Sequence, residues 1–339
     1  MRLGPLRVKG AAKAQLGFEL EPAPHGLPVL ETKARGARFL ALPVVRVLNP
    51  PATTGMGFWS LNPYVGCEFG CSYCYARKTH QWTMERASAA GALPSDRPTV
   101  PPSDRRAWEA FEHEILVKHA APEVLLRTLE PEKLAGAELV IGTATDPYQP
   151  AERRFLLTRR LLEALLRFRG LSLGLITKSP LVTRDLDVLT RLSERHELSV
   201  NLSLASMDAA LLRRLEARSP APHARIRALE RLARAGIHAG LLIAPILPGI
   251  TDSWTALAAL MEAARGAGAR YVHGGPLRLG PAARAGFLPL LEREFPELVA
   301  RYRRRYGGNV HAGKEYERAL ARRLRTLQEA FGFSVTGDQ

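Results

Sequence analysis

Apolar residues beyond Glu112 fall in short runs that are separated by longer amphipathic stretches. Short apolar runs are typical of strands buried on both faces, and leucines at three- and four-residue spacing between them are typical of helices. The predicted strands are residues 138–143, 171–177, 198–204, 238–244 and 271–277. Because strands alternate with helices, we expect the strands to pair in parallel through right-handed crossovers.

A further strand is predicted over residues 59–65, which brings the total to about six β/α units. This pattern predicts an α/β fold, a partial (β/α)6-type TIM barrel with an N-terminal extension and C-terminal helices. We expect the extension over residues 1–55, the barrel over residues 56–280 and the helical region over residues 281–339. In such barrels the chemistry lies at the carboxyl ends of the strands, and each motif described below follows a predicted strand.

The segments outside the predicted β/α units have patterns of their own. Up to about Pro51 the chain has several prolines and glycines and little periodicity, which predicts an extended leader with one strand at residues 39–47. Residues 91–104 contain four prolines and predict a loop. Near the C-terminus, residues 301–306 form a basic run with two tyrosines, and residues 314–331 predict a last amphipathic helix.

The net charge of +15 favours contact with a polyanion such as nucleic acid. A compositional bias of the genome is the alternative explanation, because Arg far outnumbers Lys and because Ala, Gly and Leu are abundant. No apolar run approaches the roughly 20 residues that span a bilayer, and the segment from Met1 to Leu20 lacks the apolar stretch of a signal peptide. We therefore expect a cytoplasmic protein without membrane contact.

The chain has three cysteines, Cys67, Cys71 and Cys74, which lie within eight residues. An odd number grouped so closely is not a disulfide framework and indicates metal or redox chemistry. Thiolates are the usual ligands of iron–sulfur clusters, and a 4Fe–4S cluster on three cysteines leaves one iron open to a further ligand. A structural zinc site is the alternative, and His80 is a candidate for its fourth ligand.

The spacing Cys67-x3-Cys71-x2-Cys74, with Tyr73 as the aromatic before the third cysteine, resembles the signature of the radical S-adenosylmethionine superfamily. Residues 62–77, 79–80, 115–118 and 145–152 further resemble the branch related to spore photoproduct lyase, often labelled DNA repair photolyase. This resemblance covers about residues 58–279. It implies a 4Fe–4S cluster, S-adenosylmethionine chelated by the open iron, and a position for Tyr73 near the adenine.

The same resemblance implies cofactor contacts at the ends of three predicted strands. It assigns Thr145 and Asp146 to the amino group of the methionine moiety, and the alternative is a Pro-rich turn before the next helix. Lys178 and Ser203 match residues that contact the cofactor in this branch. Their alternatives are a surface lysine before a helix that begins with Pro and a serine bonded to local backbone.

The run from Leu241 to Asp252 resembles the apolar edge that binds adenine in the superfamily. Ala244 and Ile246 would then pack on the adenine face, and the alternative is a buried strand followed by a loop. Spore photoproduct lyase has a cysteine that returns a hydrogen atom to its product, and Thr143 takes the corresponding place here. A threonine hydroxyl is a poor hydrogen-atom donor, so repair of the spore lesion by that route is not expected.

These observations lead to one principal hypothesis about function and leave two alternatives open. The principal hypothesis is an enzyme that reductively cleaves S-adenosylmethionine to a 5′-deoxyadenosyl radical and abstracts hydrogen from a substrate such as nucleic acid. Flavodoxin or ferredoxin would supply the electron. The alternatives are a non-catalytic metal-bearing protein that binds or senses nucleic acid, and a radical enzyme acting on a small molecule or protein. The substrate, the product and the oligomeric state stay open.

Overall fold

The strands of the protein are short and fall mostly where the apolar runs predict them. The computed structural model describes residues 27–33, 37–89 and 105–334. The strands within this part of the chain are β1 (Val29–Thr32), β2 (Arg38–Ala41), β3 (Leu48–Asn49), β4 (Trp59–Leu61), β5 (Tyr64–Val65), β6 (Glu114–Val117), β7 (Glu138–Ile141), β8 (Ser172–Thr177), β9 (Glu197–Ser203), β10 (Ala239–Ile246) and β11 (Tyr271–Pro276).

Helices follow most of these strands, as the alternation predicts. They are α1 (Pro51–Thr54), α2 (Arg77–Ala89), α3 (Arg105–His113), α4 (Ala121–Thr128), α5 (Glu152–Phe155), α6 (Leu157–Leu165), α7 (Leu186–Ser193), α8 (Ala209–Leu215), α9 (Pro222–Arg234), α10 (Trp254–Gly266), α11 (Pro281–Glu294), α12 (Val299–Tyr306) and α13 (Lys314–Ala330). None of the helices in the described part of the chain has the length and apolarity that crossing a bilayer requires.

The chain divides into two units, and the first unit contains two sheets. It comprises the described residues of Met1–Glu68, Ala76–Gly174 and Glu194–Glu197. A four-stranded sheet has the order β1-β2-β6-β5, in which β2 and β6 are parallel and the outer pairs are antiparallel. In the other sheet β3, β4 and β7 are neighbours, and β4 runs parallel to β7.

The second unit is built on parallel strands. It comprises Phe69–Tyr75, Leu175–Ser193 and Leu198–Gln339, so the second half of β8 belongs to it. Its strands follow in the order β8-β9-β10-β11, and β10 runs parallel to both β9 and β11. Because consecutive strands are joined by helices and pair in parallel, the predicted α/β fold of partial TIM-barrel type is confirmed.

Two details of the N-terminal half differ from the sequence prediction. The single strand predicted over residues 59–65 is wrong, because β4 and β5 lie in different sheets and are separated by Asn62 and Pro63. Proline has no N–H to donate to a ladder, which explains the break. The predicted leader contributes β1, β2 and β3, whereas the predicted loop over residues 91–104 lies outside the described residues.

The C-terminal helix α13 packs against the last strand of the second unit. Of the apolar face predicted for it, Leu320, Leu324 and Leu327 are buried and Phe331 is half-buried. A Cβ atom on Gly274 of β11 would lie 2.9 Å from Leu324, so this glycine allows helix and strand to approach closely. The Gln328 side chain donates a hydrogen bond of 2.7 Å to the Val272 carbonyl of β11.

Candidate functional site

The cysteine loop, residues 66–74, begins with a glycine that no other residue can replace without strain. Gly66 has φ +90°, and a Cβ atom there would lie 2.9 Å from the Phe111 carbonyl oxygen and 3.1 Å from that of Glu114. The Phe111 carbonyl also accepts a 2.9 Å hydrogen bond from the Cys67 N–H. Close backbone packing therefore fixes the first cysteine of the loop.

The loop after β7 holds the peptide groups on both sides of Cys67. The fully buried Gln149 side chain donates to the Gly66 carbonyl at 3.1 Å and accepts from the Glu68 N–H at 3.0 Å. The Thr145 hydroxyl also donates to the Gly66 carbonyl, at 2.6 Å, and accepts from Gln149 at 2.9 Å. Thr145 therefore forms a direct hydrogen bond with the first residue of the cysteine loop.

Asp146 and Thr143 make contacts within the same region. The Asp146 carboxylate accepts a 2.9 Å hydrogen bond from the Tyr148 N–H, which is the geometry of a turn formed by an aspartate side chain. The Thr143 hydroxyl accepts from the Asn62 side chain at 3.2 Å, and the Asn62 oxygen accepts from the Ala144 N–H at 2.8 Å. Asn62 therefore ties the end of β7 to the approach to the cysteine loop.

In the second unit, the rest of the cysteine loop is attached to the segment that follows α8. Cys71 forms an antiparallel bridge with Glu216. The Ser72 N–H donates to the Leu215 carbonyl at 2.9 Å, and the Arg218 N–H donates to the Phe69 carbonyl at 3.0 Å. The backbone hydrogen bonds at and beside this bridge thus hold this part of the loop against one short segment.

A buried carboxylate, Glu216, lies beside the second half of the loop. It accepts hydrogen bonds from Arg225 and Tyr73, and its Oε1 lies 3.6 Å from Lys178 Nζ. Burial raises the pKa of Glu216, but Lys178 and Arg225 lower it more, to about 2. The carboxylate is therefore ionised at neutral pH. Burial and the neighbouring Glu216 charge raise the pKa of Tyr73 well above 10, so that residue stays a neutral donor.

Lys178, Ser203 and Ala244 come together at the ends of three parallel strands. Lys178 Nζ donates to the Ser203 hydroxyl at 2.9 Å, and that hydroxyl donates to the Ala244 carbonyl at 3.0 Å. The Ser203 carbonyl accepts from Arg225 at 2.9 Å. Ile246 is fully buried, and its carbonyl accepts from the Leu277 N–H at 2.9 Å, so it belongs to the apolar end of β10.

The residues that sequence reasoning missed are Gln149, Glu216 and Arg225. Gln149 lies inside the motif of residues 145–152, but nothing in the sequence pattern distinguishes it from its neighbours. Arg225 did give a signal, because it stands four residues before Leu229 and seven before Leu232 on the buried face of α9. A cation on the apolar face of a helix needs a buried partner, and Glu216 is that partner here.

The cysteines provide the soft donor set of an iron–sulfur site. All three are free of disulfides, and Cys67 and Cys71 are buried. In the described part of the chain, no three His, Cys, Asp or Glu side chains are already gathered as a metal site. His80, the candidate fourth zinc ligand, has Nε2 2.9 Å from the Glu114 carbonyl oxygen, so that nitrogen is engaged with β6.

Comparison with known proteins assigns this arrangement to a family and a fold. Residues 61–261 match the family model described as the Radical SAM superfamily. An uncharacterized protein of Mycobacterium tuberculosis is 32% identical over 269 residues, which are 79% of this chain and 73% of that protein. An uncharacterized protein of Acidianus two-tailed virus is 30% identical over 192 residues, 56% of each chain.

Solved structures of spore photoproduct lyase variants have a similar fold. One with bound AdoMet and dinucleoside spore photoproduct has a TM-score of 0.53 and 16% identity, and covers 80% of this chain and 74% of that chain. Another, with dinucleoside spore photoproduct, has a TM-score of 0.55 and 15% identity, and covers 80% and 73%. At this level of identity the likeness shows the fold alone.

Proposed function

Because the chain belongs to the Radical SAM superfamily, we propose that it binds a 4Fe–4S cluster through Cys67, Cys71 and Cys74 and uses it to cleave S-adenosylmethionine. The observation that carries this proposal is the family match over residues 61–261, which includes all three cysteines. Three thiols that are free of disulfides fit such a cluster, since iron–sulfur clusters are held by thiolates. Three ligands for four irons leave one position for the cofactor.

A 4Fe–4S cluster held by Cys67, Cys71 and Cys74 would supply the single electron that cleaves S-adenosylmethionine into methionine and a 5′-deoxyadenosyl radical, which would take a hydrogen atom from the substrate. The protein supplies binding, orientation and electrostatics for this chemistry. We assign the electron donor to the flavodoxin or ferredoxin class. A dry site is required, because a carbon radical reacts with whatever lies nearest.

The residues at the strand ends have roles that follow from their charges and contacts. Lys178, with a side chain that is 14% exposed, presents an ammonium group for the carboxylate of the methionine moiety. The hydrogen bond from Lys178 to Ser203 fixes the direction of that ammonium group. Ala244 and Ile246 form the apolar end of β10 for the adenine, and Tyr73 packs near the same moiety.

Thr145 and Asp146 are proposed to receive the amino group of the methionine moiety. Both are adjacent residues with side-chain oxygen acceptors: the Thr145 hydroxyl bonds the Gly66 carbonyl, and the Asp146 carboxylate accepts from the Tyr148 N–H. An oxygen cluster of this kind suits an ammonium group, which donates three hydrogen bonds and accepts none. The hydrogen bond of Thr145 keeps that residue next to the start of the cysteine loop.

We propose a nucleic acid or nucleotide as the substrate. Two features support this class: the net charge of +15, and a fold shared with spore photoproduct lyase structures that hold a dinucleoside photoproduct. Repair of that photoproduct by a cysteine hydrogen donor is not proposed, because Thr143 stands at the donor position and the chain has only the three cysteines of the motif. The substrate must therefore be one whose turnover does not need a fourth thiol.

The decisive experiment measures 5′-deoxyadenosine. The protein is purified without oxygen, supplied with iron and sulfide, reduced and given S-adenosylmethionine, and the products are separated by chromatography. We expect the native protein to form 5′-deoxyadenosine, and the Cys67→Ala, Cys71→Ala and Cys74→Ala variants to form none. Zinc binding without iron–sulfur binding would exclude the proposal and favour the structural zinc site.

The substrate class is tested separately from the cleavage. Binding of fluorescent DNA and RNA oligonucleotides is measured over a range of salt concentrations. Phosphate contacts release counterions, so the logarithm of the binding constant should fall linearly with the logarithm of the salt concentration. Deoxyadenosine formation without salt-dependent binding of either oligonucleotide would leave radical cleavage intact and point to a small molecule or a protein as substrate.

A further inference from the structure

Glu216 makes contacts that the proposed function leaves unexplained. Its side chain is completely buried, and its two carboxylate oxygens face different partners. Oε2 accepts hydrogen bonds from Arg225 and, at 2.6 Å, from the Ser219 hydroxyl. Oε1 accepts from the Tyr73 hydroxyl and lies 3.6 Å from Lys178 Nζ. We call these five residues the Glu216 network.

The orientation of the carboxylate is fixed from the Arg225 side. Arg225 is completely buried and donates from Nε to the Pro220 carbonyl at 2.9 Å and from Nη1 to the Ser203 carbonyl at 2.9 Å. Its remaining Nη2 nitrogen donates to Glu216 and, at 2.6 Å, to the Ser219 hydroxyl. A planar guanidinium held in this way gives its carboxylate partner a single geometry.

The backbone of the same residue is attached to the cysteine loop. Glu216 pairs with Cys71 in an antiparallel bridge, and the neighbouring Leu215 carbonyl accepts from both the N–H and the hydroxyl of Ser72, at 2.9 and 3.0 Å. One residue therefore contacts a cysteine through its backbone and Tyr73 and Lys178 through its side chain. Of the four side chains that contact its carboxylate, these two are the ones assigned to the cofactor.

Stability alone does not account for such a group. Desolvation offsets most of the attraction within a buried ion pair, so the pair is weak evidence for added stability. What the pair does supply is a fixed direction for each partner. Lys178 Nζ receives two constraints, one from Glu216 and one from Ser203 at 2.9 Å, and a lysine side chain otherwise has four rotatable bonds.

We propose that Glu216 is a positioning residue for S-adenosylmethionine, which holds Tyr73 and Lys178 in the arrangement that the cofactor needs and keeps both in register with the cysteine loop. This inference rests on the proposed function, since it assumes that the site binds S-adenosylmethionine. It adds a residue that acts through two partners, Tyr73 and Lys178.

The test compares Glu216→Gln with the native protein. The variant keeps the shape of the side chain and removes its charge. After reconstitution with iron and sulfide, we expect unchanged iron content and a dissociation constant for S-adenosylmethionine that is about tenfold higher or more. In the metal-free chain, we expect faster hydrogen exchange at the Ser72 amide, because the neutral amide accepts a weaker hydrogen bond from the neighbouring Tyr73 than the carboxylate does.

A matched control separates positioning from general destabilisation. Asp208 caps α8, which leads to Glu216, by accepting from the N–H groups of Ala210 and Leu211 at 2.8 and 3.0 Å. Asp208→Ala should lower the melting temperature and leave the dissociation constant for S-adenosylmethionine within about twofold of native. If Glu216→Gln does not fold, Tyr73→Phe decides, with an expected rise of about threefold in that constant.

The outcomes distinguish the inference from the proposed function. If the native protein binds S-adenosylmethionine and Glu216→Gln, or failing it Tyr73→Phe, binds it equally well, the positioning role is wrong and the proposed function stands. An equal loss of affinity in Asp208→Ala also overturns the positioning role. If the native, reconstituted protein binds no S-adenosylmethionine, the proposed function fails and the inference fails with it.

Discussion

Gln149 holds the backbone on both sides of Cys67, because its side-chain amide bonds the carbonyl of the peptide before this cysteine and the N–H of the peptide after it. The two bonds measure 3.1 and 3.0 Å, and the Gln149 side chain is fully buried. A neutral amide side chain offers a donor and an acceptor side by side in one plane. The loop after β7 therefore determines the position of the first cysteine.

We predict that Gln149→Ala destabilises the protein and impairs cluster loading. The substitution leaves the Glu68 N–H without its acceptor, and a buried polar group that loses its partner costs about 1–3 kcal/mol. Urea denaturation and iron content after reconstitution measure the two effects. The control is Gln81→Ala, because the Gln81 side chain bonds Glu85 at the surface. Equal stability and equal iron content in the two variants would contradict the role of Gln149 in holding Cys67.

Gly66→Ala should be more damaging than an alanine at another glycine with positive φ. Both Gly66 and Gly170 have positive φ, +90° and +71°, and this conformation costs an alanine about 1 kcal/mol at each site. At Gly170 nothing lies within 4 Å of the new Cβ, whereas at Gly66 the Phe111 carbonyl is 2.9 Å away. Overpacking then adds about 1–3 kcal/mol at Gly66 alone.

Urea denaturation of the Gly66→Ala and Gly170→Ala variants measures this difference. The Phe111 carbonyl that the methyl group displaces is also the acceptor for the Cys67 N–H, so iron content should fall in the Gly66 variant only. Equal losses of stability would show that backbone conformation, and not contact with Phe111, makes glycine necessary here.

The buried Lys118 should make stability depend on pH. Burial lowers the pKa of Lys118 from 10.5 to about 7. Below pH 7 the lysine is charged in both states; between about pH 7 and 10.5 it is charged only in the unfolded chain. The unfolded state then binds more protons, so this group makes the free energy of unfolding rise as the pH rises through that window.

The comparison of native protein with Lys118→Met isolates this contribution. Urea denaturation at about pH 6, 8 and 9.5 should show the native protein gaining stability relative to the variant as the pH rises, by at most about 1.4 kcal/mol per unit. Lys133→Met is the control, since Lys133 is exposed and pairs with Glu130 at the surface. Parallel curves for native protein and Lys118→Met would refute the prediction.

Asp252 should link the loop after β10 to the C-terminal helix. Its carboxylate accepts from the Gly249 N–H at 2.8 Å and from the Tyr316 hydroxyl at 2.9 Å. Burial and the Asp252 charge both raise the pKa of Tyr316, so Asp252→Asn should lower that pKa. A double-mutant cycle of Asp252→Asn and Tyr316→Phe, followed by urea denaturation, measures the interaction of the two side chains. A coupling energy of zero would mean that the carboxylate does not act on Tyr316.

Residues at the carboxyl ends of neighbouring parallel strands lie close together, and this relationship alone predicted one part of the site. Lys178 and Ser203 end adjacent strands, and the structure brings their side chains to 2.9 Å. The sequence could not predict that Tyr73 would meet Glu216, since these residues are 143 positions apart and no periodicity relates them. The predicted strands at residues 39–47 and 59–65 overlap β2 and β5, but the sheet β1-β2-β6-β5 could not be predicted, because its strands have at most four residues.

The hydrogen bond from Gln328 to the Val272 carbonyl bears on self-association of the protein through the edge of its sheet. In the described strand order β11 is the terminal strand of its sheet, and a terminal strand is a template on which another chain can add a strand. Because α13 contributes Gln328 to one carbonyl of that strand and packs Leu324 against Gly274, strand addition must first displace a helix. The last helix thereby protects the protein from edge-to-edge aggregation.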